Sequence, residues 1–147
     1  ISSLAINEKE HQHVASLLQI VSDIERISDY CENISEYAEN LANQKKKFSG
    51  VGAAEMKEML EVCSDSFTYA VEAFEENSAE KALKVIEKER SADDLEIRLR
   101  ADHMQRLANK QCDTEAGIVF LDALVGLERI SDHSRNIAEE VLSASNK

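Results

Sequence analysis

No proline occurs anywhere in these 147 residues, and only four glycines do. Proline breaks helix interiors and glycine weakens them, so their scarcity leaves almost every stretch of the chain open to uninterrupted helix. Apolar residues, 43% of the total, recur near every 3.6 positions almost from end to end. The pattern predicts an all-α fold, an elongated antiparallel up-down bundle of about four long helices. With aromatics at only 5%, the core has to be built mainly from Leu, Ile, Val and Ala.

Helix A is expected over about 8–44, with Asn7 as N-cap and Glu10 three residues later. Lys45, Lys46 and Lys47 suit its C-terminus through the helix dipole. The turn Ser49-Gly50-Val51-Gly52 then leads to helix B, expected from about 53 to 76. Asn77-Ser78 breaks and recaps the chain, helix C runs to about 109, and Asp113 or Thr114 caps helix D, which runs to about 144. Connections this short force neighbouring helices antiparallel.

An internal repeat adds organisation. Residues 25–36 read ERISDYCENISE and residues 128–139 read ERISDHSRNIAE, identical at eight of twelve positions with an offset of 103. Chance seldom produces this, so helices A and D are expected to be equivalent elements of duplicated units. Helices B, C and D form one complete three-helix unit on this reading. Helix A is then the last helix of a preceding unit, and the whole of 1–147 is one helical domain. The start at Ile1 rather than Met suggests an excised fragment.

Seventeen basic residues against 29 acidic ones give a net charge of −12. Such a surface repels phosphate backbones and anionic headgroups, which argues against nucleic-acid binding, and it attracts cations or a basic partner. Cys31, Cys63 and Cys112 are odd in number, far apart and without a C-x-x-C pair. That spacing points to a reducing compartment rather than a disulfide framework, with each cysteine expected as a small buried apolar residue. The longest apolar run, 117–127, is interrupted by Asp122 and falls far short of the ~20 residues that span a bilayer.

Acidic pairs at i and i+4 are no more frequent than so acidic a composition produces, so their placement has to decide which matter. Glu128 and Asp132 continue the stripe of Leu121, Leu124 and Val125; Glu25 and Asp29 continue that of Leu18 and Val21; Glu89 and Asp93 follow Ala82, Val85 and Ile86. Glu61 and Asp65, by contrast, lie opposite the apolar face and read as plain surface. Carboxylates gathered between helices need protonation, basic partners or a metal ion to coexist. Oxygen donors of this kind suit iron or a divalent cation. The competing readings are that the bundle splays there and leaves a solvated acidic face, or that the acids form a surface for a protein partner.

Asn33 and Asn136, one turn beyond Asp29 and Asp132, are supporting candidates or simple surface amides. Ile27, Ile34, Ile130 and Ile137 read as core, while Arg26 and Arg129 point away from the acids. His11 and His13 give two overlapping E-x-x-H matches with Glu8 and Glu10, but a di-iron site needs that motif on two helices and no second copy exists. No Gly-rich phosphate loop, G-x-S-x-G or H-E-x-x-H is present, and an enzyme is not expected.

The duplicated ERISD…NI, preceded by apolar residues and an acid, resembles the L-E-R-I-G-D-x-x-x-N-I signature that ends each three-helix repeat of PhoU proteins. VIEKERSADDLE at 85–96 is similar to that family's second-helix segment. Ser28 and Ser131 stand where the family usually has Gly, a change a helix interior tolerates. The resemblance implies regulation of phosphate uptake at the cytoplasmic face of the membrane, with a phosphate transporter's membrane domain as partner, in cis or in trans. It also implies a possible homodimer. The incomplete repeat favours the cytoplasmic C-terminal part of a sodium/phosphate cotransporter-like protein. Some family members hold metal clusters at E(D)-x-x-x-D motifs, which by position makes Glu25, Asp29, Glu89, Asp93, Glu128 and Asp132 candidate ligands. The alternatives are a free-standing metal-binding carboxylate bundle with chemistry of its own, and a structural bundle that dimerises through its faces.

Overall fold

Each helix begins where the sequence offers an oxygen to its first unpaired N–H groups. In the computed structural model, which describes residues 7–145, four helices are present: α1 (Glu8–Asn43), α2 (Gly50–Glu76), α3 (Ala79–Ala108) and α4 (Thr114–Ser145). The Asn7 side chain accepts from the Glu10 N–H at 2.9 Å while Glu10 accepts from the Asn7 N–H at 3.0 Å, the reciprocal capping box expected from the sequence. Asn77, left-handed at φ 49°, ends α2, and the Ser78 hydroxyl then caps α3 by accepting from Lys81 N–H at 3.2 Å. Asp113 caps α4 through the Ala116 N–H at 2.9 Å.

Two local expectations are corrected. Helix α2 starts at Gly50 rather than near 53, because Ser49 accepts from the Gly52 N–H at 3.1 Å and draws both glycines into the first turn. Lys46 does not serve the end of α1. It turns to the loop before α4, 3.4 Å from Asp113 and 3.0 Å from Glu115, because those carboxylates offer more than a screened helix end does.

Helices α2, α3 and α4 pack against one another pairwise, whereas α1 packs against α4 alone. Contacts fix the directions. Arg98–Glu58 and Lys81–Glu72 set α3 antiparallel to α2; His103–Gly117 and Glu89–Arg135 set α4 antiparallel to α3; Ser16–Glu140 and Asp23–His133 set α1 antiparallel to α4. At 1.5 Å per residue the 36-residue α1 is about 54 Å long. Tyr30 and His133 are equivalent positions of the repeat, and their rings stack on each other with centroids 6.0 Å apart. An approximate twofold axis therefore passes between α1 and α4 at this point.

The core of the three-helix unit mixes large side chains (Met59, Leu99, Phe120, Leu124) with alanines 70, 73, 82, 92 and 138 that let helix axes approach closely. Helix α4 spends its two glycines on close neighbours. A Cβ at Gly117 would lie 2.5 Å from Leu107 Cδ2, and one at Gly126 would lie 3.0 Å from Ile34 Cδ1. At the loop end, buried His103 donates from Nε2 to the Gly117 carbonyl at 3.0 Å, so its Nδ1 accepts from Arg106 at 3.2 Å. Arg106 in turn pairs with Glu55 of α2 at 2.5 Å. Burial, then the Arg106 charge, holds His103 below the ordinary histidine range.

Helix α1 presents Ile20, Asp23, Ile27 and Leu41 to α4, with Asp23 only 1% exposed. Asp23 Oδ1 accepts from His133 Nδ1 at 2.8 Å and from Asn136 Nδ2 at 3.1 Å, and Oδ2 accepts from Gln19 at 3.3 Å. Replacing Asp23 by alanine strands these donors and is expected to cost about 2 kcal/mol. Hydrogen exchange checks it: α1 amides should lose protection while the α3 core keeps its own. Equal loss in both would contradict a seam local to α1 and α4.

Among the cysteines only Cys63 is buried, while Cys31 is exposed and Cys112 half-buried. This corrects the expectation of three buried thiols: Cys31 lies exposed on α1, and Cys112 in the loop before α4. Among the described residues no helix is long and apolar enough to cross a membrane.

Candidate functional site

Midway along the bundle the facing stripes of α3 and α4 change from apolar to acidic. Below Ala82 and Val85, α3 places Glu89 and Asp93 one turn apart; beyond Leu124, α4 places Glu128 and Asp132. Carboxylate oxygens of Glu89, Asp93 and Asp132 lie within 4.8 Å of one another, and Glu89 is only 5% exposed. Among the described residues these three form a group with the spacing of metal ligands; Glu128 stands beside it, hydrogen-bonded to Asp132.

So many carboxylates in a half-buried space resist ionisation. Burial, then the bond and charge of Glu89, pushes Asp93 up to about 6. Burial, then the charge of Asp132, pushes Glu128 up to about 7, and Asp132 is itself raised by burial. Two arginines bring positive charge here: Arg129 acts on Glu128 and Asp132, and Arg135 places Nη1 2.6 Å from Glu89 Oε2 and Nε 2.9 Å from Glu139 Oε1. The Cys63 thiol points to the same layer and donates to the Leu127 carbonyl at 3.2 Å. Burial, then Glu128 and Asp132, pushes it up to about 12, and the group at ligand spacing is made of carboxylate oxygens alone.

A raised carboxylate pKa has a defined consequence for stability. A group that binds its proton more tightly when folded contributes stability that is complete below its unfolded pKa and lost as the pH rises through its folded value. For Glu128 that window runs from the ordinary glutamate value of 4.5 to about 7. Metal-free Glu128→Gln is therefore expected to be the more stable form at pH 8, by about 1 kcal/mol or roughly 3 °C after solvent screening. Its advantage should shrink as the pH falls to 5. Thermal melts of both proteins check it, and a constant difference across that range would refute it.

Of the residues expected at the site, Glu89, Asp93, Glu128 and Asp132 come together. Glu25, Asp29 and Asn33 are exposed on α1 and are not brought to them. The stripe those three continue is real but faces outward: Val14, Leu18, Val21 and Ile24 are 44–65% exposed, because α1 seats its other face on α4. Asn136 does not cap the acidic layer either, since its amide is committed to Asp23.

Three residues escaped the sequence reading. Asp23 interrupts the buried series Ile20–Ile27 at i+3, a visible signal for an inward acid. His133 and Arg135 fall in the variable positions of the motif, and nothing local shows that they reach Asp23 and Glu89.

The PhoU domain family model matches residues 1–38 and 56–141, most of the chain. The chain belongs to the PhoU family. It is 29% identical over 138 residues to the phosphate-specific transport system accessory protein PhoU homolog 1 of Thermotoga maritima, covering 91% of this chain and 57% of that relative. The crystal structure of PhoU from Pseudomonas aeruginosa matches with a TM-score of 0.88 at 24% identity, covering 96% of this chain and 66% of that one. The second match establishes the all-α PhoU fold. The chain thus spans less than two thirds of each of these PhoU relatives.

Proposed function

We propose that this chain is a non-enzymatic PhoU-type regulatory domain of phosphate uptake, acting at the cytoplasmic membrane face on a phosphate transporter. The observation that carries the reading is the family match along nearly the whole chain, together with a relative named as a phosphate-transport accessory protein. Recognition runs through helix faces. Helix α1 is read as the closing helix of a neighbouring three-helix unit, supported by the repeat at offset 103 and by its second apolar stripe. Attachment to a sodium/phosphate cotransporter-like membrane part is the finer form of this reading, and hydrophobic segments encoded just upstream of Ile1 would support it. Deleting the coding segment for 1–147 is expected to change phosphate uptake at fixed external phosphate. Unchanged uptake overturns the regulatory reading.

Metal modulation is the finer part of the proposal. The donors fit: three carboxylates at ligand spacing, drawn from two helices, suit a hard or borderline cation such as Mn, Fe or Mg. Glu89 and Asp93 would hold it from α3 and Asp132 from α4. Bound there, a cation would supply the charge neutralisation that lets carboxylates of α3 and α4 share one space. The residues themselves do the rest: the stripes above set the separation of the two helices, and Cys63 closes the layer on the α2 side.

A further inference from the structure

The acidic layer already contains a cation of its own. Arg135 reaches from α4 to Glu89 on α3 and, through a different nitrogen of the same guanidinium, to Glu139 one turn along α4. Glu89 is the most buried of the four carboxylates, and the Arg135 contact at 2.6 Å serves one of its two oxygens. Glu139, in contrast, is exposed, and a bond to it leaves the guanidinium in water. Within the repeat, the position of Arg135 is occupied in α1 by Glu32, a reversal of charge inside a segment otherwise two-thirds identical. The two copies of the motif therefore differ in electrostatic character at the point that decides whether a carboxylate is free for a ligand.

We propose that Arg135 is a resident counter-cation of the Glu89–Asp93–Asp132 site, which competes with an incoming divalent cation for Glu89 and withdraws to Glu139 when one binds. The proposal rests on the metal reading above and deepens it: Arg135 sets the threshold concentration at which the site fills. The motion is small. The planar guanidinium turns as one unit about its side-chain bonds, which frees Glu89 Oε2 while Glu139, one turn along the same helix, stays within reach as its partner. A divalent ion and a guanidinium on adjacent oxygens repel strongly in a half-buried space, so the two occupy Glu89 in turn. No proton need move, because arginine stays charged throughout.

Mn2+ titration at pH 8 of the wild type, Arg135→Gln and Glu139→Gln tests this, read by calorimetry and by the paramagnetic signal of the free ion. Arg135→Gln is expected to bind Mn2+ about tenfold more tightly, since the competitor is gone. Glu139→Gln, an exposed change that leaves the core intact, is expected to bind several-fold more weakly, because the displaced arginine has lost its second anchor. Arg98→Gln, which removes an exposed pair with Glu58 on α2, should bind as the wild type does. Equal affinities for wild type and Arg135→Gln, or weaker binding by Arg135→Gln, overturn the counter-cation role while leaving the metal site standing. No binding by any of the proteins overturns the metal reading itself, and this inference with it.

Discussion

Replacing Phe120 by alanine is expected to destabilise the protein by about 3–5 kcal/mol, or roughly 10 °C in melting temperature for a chain of this size. Phe120 is fully buried and is the largest side chain so enclosed. Its ring stacks on His103 at 4.1 Å with 19° between planes, meets Phe48 edge-on at 5.4 Å, and lies 5.7 Å from the Arg106 guanidinium. Truncation removes all three contacts at once and opens a cavity against a histidine whose two nitrogens are already committed. Water entering that cavity should also relieve the burial that depresses His103, so its pKa should rise toward the ordinary value. The sign is opposite to that of the carboxylates: a depressed histidine contributes stability at high pH that is lost as the pH falls below its unfolded value. The variant should accordingly lose part of the wild type's acid sensitivity below about pH 6.5. Phe74→Ala, at an exposed position, should cost under about 1 kcal/mol. A Phe120 penalty no larger than that of Phe74 would show that the loop end is not closed by this stack.

The other large effect concerns cation binding. Asp132→Asn is expected to lower Mn2+ affinity at pH 8 by about 100-fold or more, since even supporting groups around a metal site are worth 10–100-fold. Asp132 is the α4 member of the ligand group, and without it Glu89 and Asp93 remain as a pair on one helix. The same change should abolish the stabilisation that saturating Mn2+ confers, about 2.7 kcal/mol when the ion is at a hundred times its dissociation constant. Asp29→Asn is the matched control, the equivalent motif position on the outward side of α1. It should leave this site's affinity and the metal-dependent stabilisation unchanged. Equal losses in both variants would mean that the ion is not held between α3 and α4.

Helix number, type and most ends, the start of α2 excepted, were legible because their causes are local. Caps act over three residues, as Asn7 with Glu10 and Ser78 with Lys81 illustrate, and apolar periodicity reports on a single helix. The repeat was legible for the same reason, being a comparison of the sequence with itself. Half of the site followed too. Glu89, Asp93, Glu128 and Asp132 sit on packing stripes, and α3 and α4 happen to be neighbours that bring those stripes together.

Periodicity assigns a residue to a face but does not say what that face meets. Helix α1 has two apolar faces, and the sequence reading followed the one bearing Leu18, Val21, Glu25 and Asp29. Packing on α4 buries the other, so Asp23 becomes the inward acid and Asn136 its donor instead of a cap for the acidic layer. Arg135 likewise carries no local mark of its role: its contact with Glu89 joins residues 46 positions apart and exists only because antiparallel packing brings two helices into register there. The sequence alone thus determined the helices, their caps and the duplicated motif, all products of interactions within a few residues. Tertiary packing decided which acids meet one another and which cation stands among them, because charge interactions across a helix interface depend on distances that no single helix contains.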